Sequence, residues 1–363
     1  MTPRRHPRVI KVPIIWALIL IGASAGSGCR DDSSPTVENV AVPRDAARAE
    51  EALQSIEVWL GKGEADKAET IAGKLVEVDP KSPDAREAHA TTLVALAAEA
   101  ASNGAQRTAE TLRTRALTRY EESIELSAPT PRPDMLRAAG IVAESLKRKK
   151  RALSLYQKAA EGDPDNASHA IYAGNVLIKM DRPEEAESWF LKAIEIDPSE
   201  PWGWAGRAVV LRQQARFDEA LESVRRARRY ANGRGDRNDI AFRVSEARIL
   251  RESGRAEEAA RLLYAVDPKT RSASAGVTTE LHLACEMIGA HTKSAETWAA
   301  FYAVHPEDAD ALFMVAESWL RAGRPEQAAS WYRLANDVGI PEQGIQEMRR
   351  KALEKVELDS SGQ

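Results

Sequence analysis

Between residues 167 and 200, small and apolar positions recur at helical spacing. Ala170, Ala173, Gly174 and Leu177 fall at i, i+3, i+4 and i+7, which is one face of a helix. Asp181-Arg182-Pro183 breaks that helix and opens a second one, with Ala186, Phe190, Ala193 and Ile194 along one side. Asp197-Pro198 closes it, because proline lacks a backbone donor and disfavours helix at the residue before it. The pattern then recurs with a period of 34: Gly140 with Gly174; Ala152, Ala186 and Ala220; Ala159, Ala193 and Ala227; Pro164 with Pro198. Four registers that agree on one period predict a stack of helix hairpins.

Weaker copies flank these. Residues 49–82 offer Trp59, Gly63, Ala68 and Pro80; residues 240–270 offer Ala247, Leu250, Gly254 and Ala259. Residues 275–308 offer Cys285, Gly289, Trp298 and Pro306, and residues 309–342 offer Ala316, Trp319, Gly323, Ala328, Tyr332 and Ala335. In 83–132 the register is lost, and two longer helices, 83–101 and 105–126, are predicted as an expanded hairpin. Residues 343–358 read as a charged helical cap and 359–363 as a disordered tail.

The order of residues resembles the tetratricopeptide repeat, with its small residue at the eighth place, alanine at the twentieth, a ring near the twenty-fourth, alanine at the twenty-seventh and proline at the thirty-second. Gly174, Ala186, Phe190, Ala193 and Pro198 match in order in 167–200; Gly140, Ala152, Tyr156, Ala159 and Pro164 match in 133–166. The unit 201–234 keeps Trp204, Ala208, Ala220 and Ala227 but carries Arg207 where an apolar residue is usual. The resemblance implies an all-α fold, a right-handed superhelical solenoid of antiparallel hairpins over 47–358. It also implies a concave groove lined by the first helix of each hairpin. By that geometry Arg137, Ile171, Asn175, Trp202, Arg212, Arg248 and Arg251 face the groove, and the last three arginines form one basic strip.

The first residues read differently. Arg4, Arg5, Arg8 and Lys11 precede a nearly continuous apolar run from Val12 to Ile21, and small residues lead to Cys29. Basic, apolar, then small is the layout of a secretory signal peptide, here 1–28. Gly26-Ser27-Gly28-Cys29 resembles a bacterial lipoprotein processing site, which implies lipidation of Cys29 and attachment to a membrane facing the periplasm. Gly26 departs from the leucine usual there, and Arg30 is not the aspartate that retains many enteric lipoproteins in the inner membrane, so the outer membrane is the expected address. Residues 29–46 are polar and read as a flexible tether.

Composition narrows the function. The net charge of −4 doubles without residues 1–28, which hold four lysines and arginines and no acid, and this argues against a nucleic-acid partner. Arg225, Arg226, Arg228 and Arg229 are the one dense basic cluster, read first as a solvated helix face and second as a contact for anionic lipid or an acidic partner. His282, Cys285 and His291 have metal-ligand chemistry, but the first two fall at inward places of a repeat helix, so packing is expected and no metal. No phosphate-binding loop, dinucleotide fingerprint or zinc-protease motif is present, so neither cofactor nor catalysis is expected. The expected function is a non-catalytic scaffold of the cell envelope that holds a protein or extended peptide, acidic in character, in the groove. The alternative is an accessory subunit of an envelope enzyme or assembly complex.

Overall fold

The computed structural model describes residues 46–233, 239–339, 343–347 and 349–350. The signal segment, Cys29, most of the tether, and the end of the cap with the tail lie outside the described residues. The chain divides after Asp163 into two compact units.

Every element among the described residues is helical. The first unit holds α1 (Ala46–Gly61), α2 (Ala65–Val78), α3 (Pro83–Ser102), α4 (Gln106–Leu126), α5 (Pro133–Ser145) and α6 (Lys149–Gly162). The second holds α7 (Ala167–Lys179), α8 (Pro183–Ile196), α9 (Pro201–Gln213), α10 (Phe217–Gly233), α11 (Asp239–Glu252) and α12 (Ala256–Tyr264). It continues with α13 (Pro268–Ala273), α14 (Ala275–Met287), α15 (His291–Tyr302), α16 (Ala309–Arg321) and α17 (Pro325–Asp337). Except for α13, the helices pair as consecutive hairpins.

Local chemistry sets the ends. Proline opens α3, α5, α8, α9, α13 and α17, where its missing donor is harmless. Ser82, Asn166 and Asp308 accept a backbone N–H from the first turn of α3, α7 and α16. Each hairpin turn repeats one device, a single left-handed residue whose successor donates back five residues. Arg182 N–H donates to Leu177 O and Arg216 N–H to Leu211 O, at 3.0 and 2.9 Å, and Arg324 N–H donates to Trp319 O at 2.9 Å. Glycine holds the left-handed place at Gly63, Gly104, Gly254, Gly289 and Gly323, whereas Lys147, Asp181 and Ala215 hold it in the most regular hairpins.

The cores follow the repeat positions. Ala152, Tyr156, Ala186, Phe190, Ala193, Ala220, Ala227 and Ala328 are fully buried, and Tyr332 nearly so. A Cβ on Gly174 would sit 2.8 Å from the Phe190 ring, and one on Gly206 of α9 would sit closer still. Phe190 is therefore clamped between two helices that carry no side chain where they meet it. Gly140 abuts Tyr156 in the same way. Pro164 and Pro198 lie in the turns before α7 and α9, and the Trp204 indole donates to Pro198 O at 2.9 Å. Gly323 is a turn residue with φ of 69°.

The period fails where the helices change length. The expected unit 240–270 has a second helix, α12, of only nine residues against fourteen in α6 and α8, and the extra α13 follows it. At the far end Ile345 is buried against the core of α16 and α17, so the start of the cap covers that last apolar face.

Candidate partner-binding wall

In the second unit the first helices α9, α11 and α14 are joined by a chain of ion pairs. Arg212 reaches Glu252 at 2.9 Å, and Arg251 lies 3.6 Å from that same carboxylate. Arg251 and Arg248 both bond Glu280, at 3.1 and 2.6 Å. The Glu280 side chain is only 4% exposed, so it needs paired charge around it. The Arg248 side chain is 46% exposed and keeps donors facing water. Next along the wall, Glu286 of α14 meets Arg321 of α16 and His291 of α15, the latter at 3.1 Å. Burial pushes the Glu286 carboxyl up, but His291 and Arg321 outweigh it and hold the group below its ordinary range.

Trp202 begins the same wall. It is 44% exposed and stands edge-on to Phe242 of α11, with ring centroids 5.1 Å apart. The indole is therefore held by packing yet partly open to solvent.

The structure corrects part of the expected groove. Arg212, Arg248 and Arg251 do lie on neighbouring first helices, but Glu252 and Glu280 alternate with them, so the strip is not simply basic. Arg137 and Ile171 are buried rather than groove-facing, and Arg137 bonds Asp134 of its own helix at 2.6 Å. Asn175 is half-buried. Sequence reasoning missed Glu252 and Glu280; the available signal was acid at roughly one repeat from each arginine, 40 residues for Arg212 and 32 for Arg248.

The other basic cluster is largely structural. Arg225 and Arg228 of α10 both bind the buried Glu246 of α11, and Arg226 pairs with Glu222 while lying over the Trp204 ring. His282 bonds Ser294 at 2.6 Å, and Ser294 lies 3.0 Å from Ser318. Among the described residues no three His, Cys, Asp or Glu side chains are grouped to hold a metal ion, and no helix is long and apolar enough to cross a membrane.

Consecutive antiparallel hairpins with a small residue facing a ring define an all-α solenoid of tetratricopeptide type. The tetratricopeptide repeat family model matches residues 112–167, 138–201 and 289–337, so the chain contains these repeats. A tetratricopeptide repeat protein from Parabacteroides merdae has a similar crystal structure, with 16% identity, a TM-score of 0.50, and coverage of 84% of this chain and 98% of that one. PilF of Pseudomonas aeruginosa aligns at 18% identity over 64% of this chain and 95% of its own, with a TM-score of 0.47. YrrB, described as a tetratricopeptide repeat protein with an unusual peptide-binding site, aligns at 19% identity over 51% of this chain and 86% of its own, with a TM-score of 0.41. No curated protein matches the chain.

Proposed function

We propose that the protein is a non-catalytic scaffold of the bacterial cell envelope that holds an acidic protein segment against the α9–α11–α14 wall. The observation that carries this reading is the pairing of an exposed, packed tryptophan with arginines only partly used by the fold. Trp202 offers an apolar anchor, and Arg248 keeps outward donors while Arg251 secures Glu280. Tryptophan and arginine are the residue types that dominate binding hot spots. A partner carboxylate would add to Arg248 without stranding Glu280. Envelope placement rests on the sequence of residues 1–29, with Cys29 as the lipid-bearing residue.

The test is the double variant Trp202→Ala with Arg248→Gln, assayed by affinity capture from solubilised membranes. Loss of an aromatic anchor and a charge-assisted contact should reduce recovery of a stoichiometric partner roughly a hundredfold. Unfolding should change by no more than about 4 kcal/mol, since the contact with Phe242 and the Arg248 bond to Glu280 are lost while Arg251 still pairs that carboxylate. Undiminished partner recovery from the folded double variant would remove the wall as the binding surface. Fatty-acid labelling that persists in Cys29→Ala would remove the anchor.

A further inference from the structure

We infer that the cavity between α12, α14 and α15 is a binding site for a short apolar chain ending in a carboxylate. The inference goes beyond the partner-binding wall and does not depend on it. The cavity holds about 320 Å³ and is lined by Glu257, Ala260, Arg261, Tyr264, Cys285, Ile288 and Lys293. That volume lies at the small end of ligand pockets, about 300–1,000 Å³.

Two departures from the repeat open it. The first is the shortness of α12, nine residues long, after which the chain turns away into α13. Arg271 of α13 donates to Tyr264 O at 2.9 Å and to Val266 O at 3.3 Å, which fixes that turn. The second is Cys285. Its carbonyl accepts the turn bond from Ala290 N–H, as Leu177, Leu211 and Leu250 accept it in the three preceding hairpins. All four side chains are buried, but the cysteine ends at its sulfur where leucine carries two further methyl groups, and space remains beside it.

The lining has two characters. Ala260 and the Cys285 thiol make an apolar floor with the exposed Ile288 at its edge, and the Tyr264 hydroxyl lies 3.6 Å from the sulfur. Burial pushes the Cys285 thiol up and the Tyr264 hydroxyl up to about 12, so the floor carries no charge at neutral pH. The rim is mostly cationic. Arg261 and Lys293 are exposed and form no salt bridge among the described residues. Lys293 stands 5.7 Å above the Tyr264 ring, and Glu257 is the single acid of the lining. An alkyl chain fits the floor, and a carboxylate at its end meets the cations.

Octanoate is the probe, with octylammonium as the charge-reversed control, added to the intact protein and followed by calorimetric titration and thermal shift. Saturable binding of octanoate, at least about tenfold tighter than octylammonium, is expected. Lys293→Glu should invert that preference without altering the fold, since Lys293 is exposed. Cys285→Leu should abolish binding by filling the floor, while Cys285→Ala should retain it. Absence of saturable octanoate binding, equal affinity for the two probes, or undiminished binding in a folded Cys285→Leu variant would each overturn the inference.

Discussion

Two regions of the second unit solve the same packing problem differently. Around α7, α8 and α9 the contact is dry. Gly174 and Gly206 close on the Phe190 ring from two helices, and complementarity of shape does the work. Around α14, α15 and α16 the contact is polar. His282, Ser294 and Ser318 form a buried hydrogen-bonded run, and Glu286 joins His291 and Arg321 beside it. A repeat can therefore keep its backbone while exchanging close packing for hydrogen bonds. The first solution is intolerant of volume, and the second is sensitive to pH and to the loss of any one partner.

The largest expected effects break the dry contact. Phe190→Ala should cost about 3–5 kcal/mol, because the clamped ring leaves a cavity that two glycines cannot fill. Gly206→Leu should cost about 3 kcal/mol or more, since even a Cβ there overlaps the ring. A cycle with Phe190→Leu sharpens the point: Gly206→Ala should be costly in the native background and distinctly cheaper beside the smaller side chain. Equal cost in both backgrounds, measured by denaturant unfolding, would mean that the ring is not what excludes the methyl group.

The polar contact should break at smaller cost. Ser294→Ala removes the hydroxyl between His282 and Ser318 and should destabilise by about 1–3 kcal/mol. Acid should act on the same region. The Glu286 carboxyl is depressed in the folded protein relative to its ordinary value of 4.5. A depressed carboxyl contributes stability that is fully present above the unfolded value and is lost as pH falls through the folded one. Glu286→Gln should therefore lower stability at neutral pH and shallow the decline below pH 4.5, whereas an unchanged acid limb would place the titration elsewhere.

The contrast also marks what the sequence could show. The 34-residue period and the places of Gly174 and Phe190 within it were legible because they repeat at fixed spacing on helix faces, whereas their contact with each other was not. Gly206 was not, since it meets Phe190 from the following hairpin and does not recur with the period. The arginines of the wall were legible as residues on neighbouring helices, but their acidic partners were not. Glu252 lies 40 residues from Arg212, across the longer α10, and Glu280 lies 32 from Arg248, across the short α12, so a search at a spacing of 34 passes over both. Cys285 read as a packing residue and is one, yet the space beside it depends on the length of α12, which periodicity does not encode.

The smallest expected effect lies in the turns, where the regular and irregular hairpins differ in an unexpected direction. The regular α9–α10 hairpin carries Ala215 at φ of 57°, whereas the α16–α17 hairpin carries Gly323 at 69°. A side chain in the left-handed region costs about 1–2 kcal/mol, because Cβ approaches the following carbonyl. Glycine relieves that strain but gives back about 0.4–1 kcal/mol through the larger entropy of its unfolded chain. Ala215→Gly should therefore stabilise by up to about 1 kcal/mol and Gly323→Ala should destabilise by a similar amount. A Cβ at Gly323 would meet nothing within 4 Å, so crowding cannot account for that loss. Equal and opposite shifts in the unfolding midpoint would show that the two turns share one backbone geometry. If Gly323→Ala proves neutral, its turn has relaxed away from the left-handed conformation that the Arg324 to Trp319 bond closes.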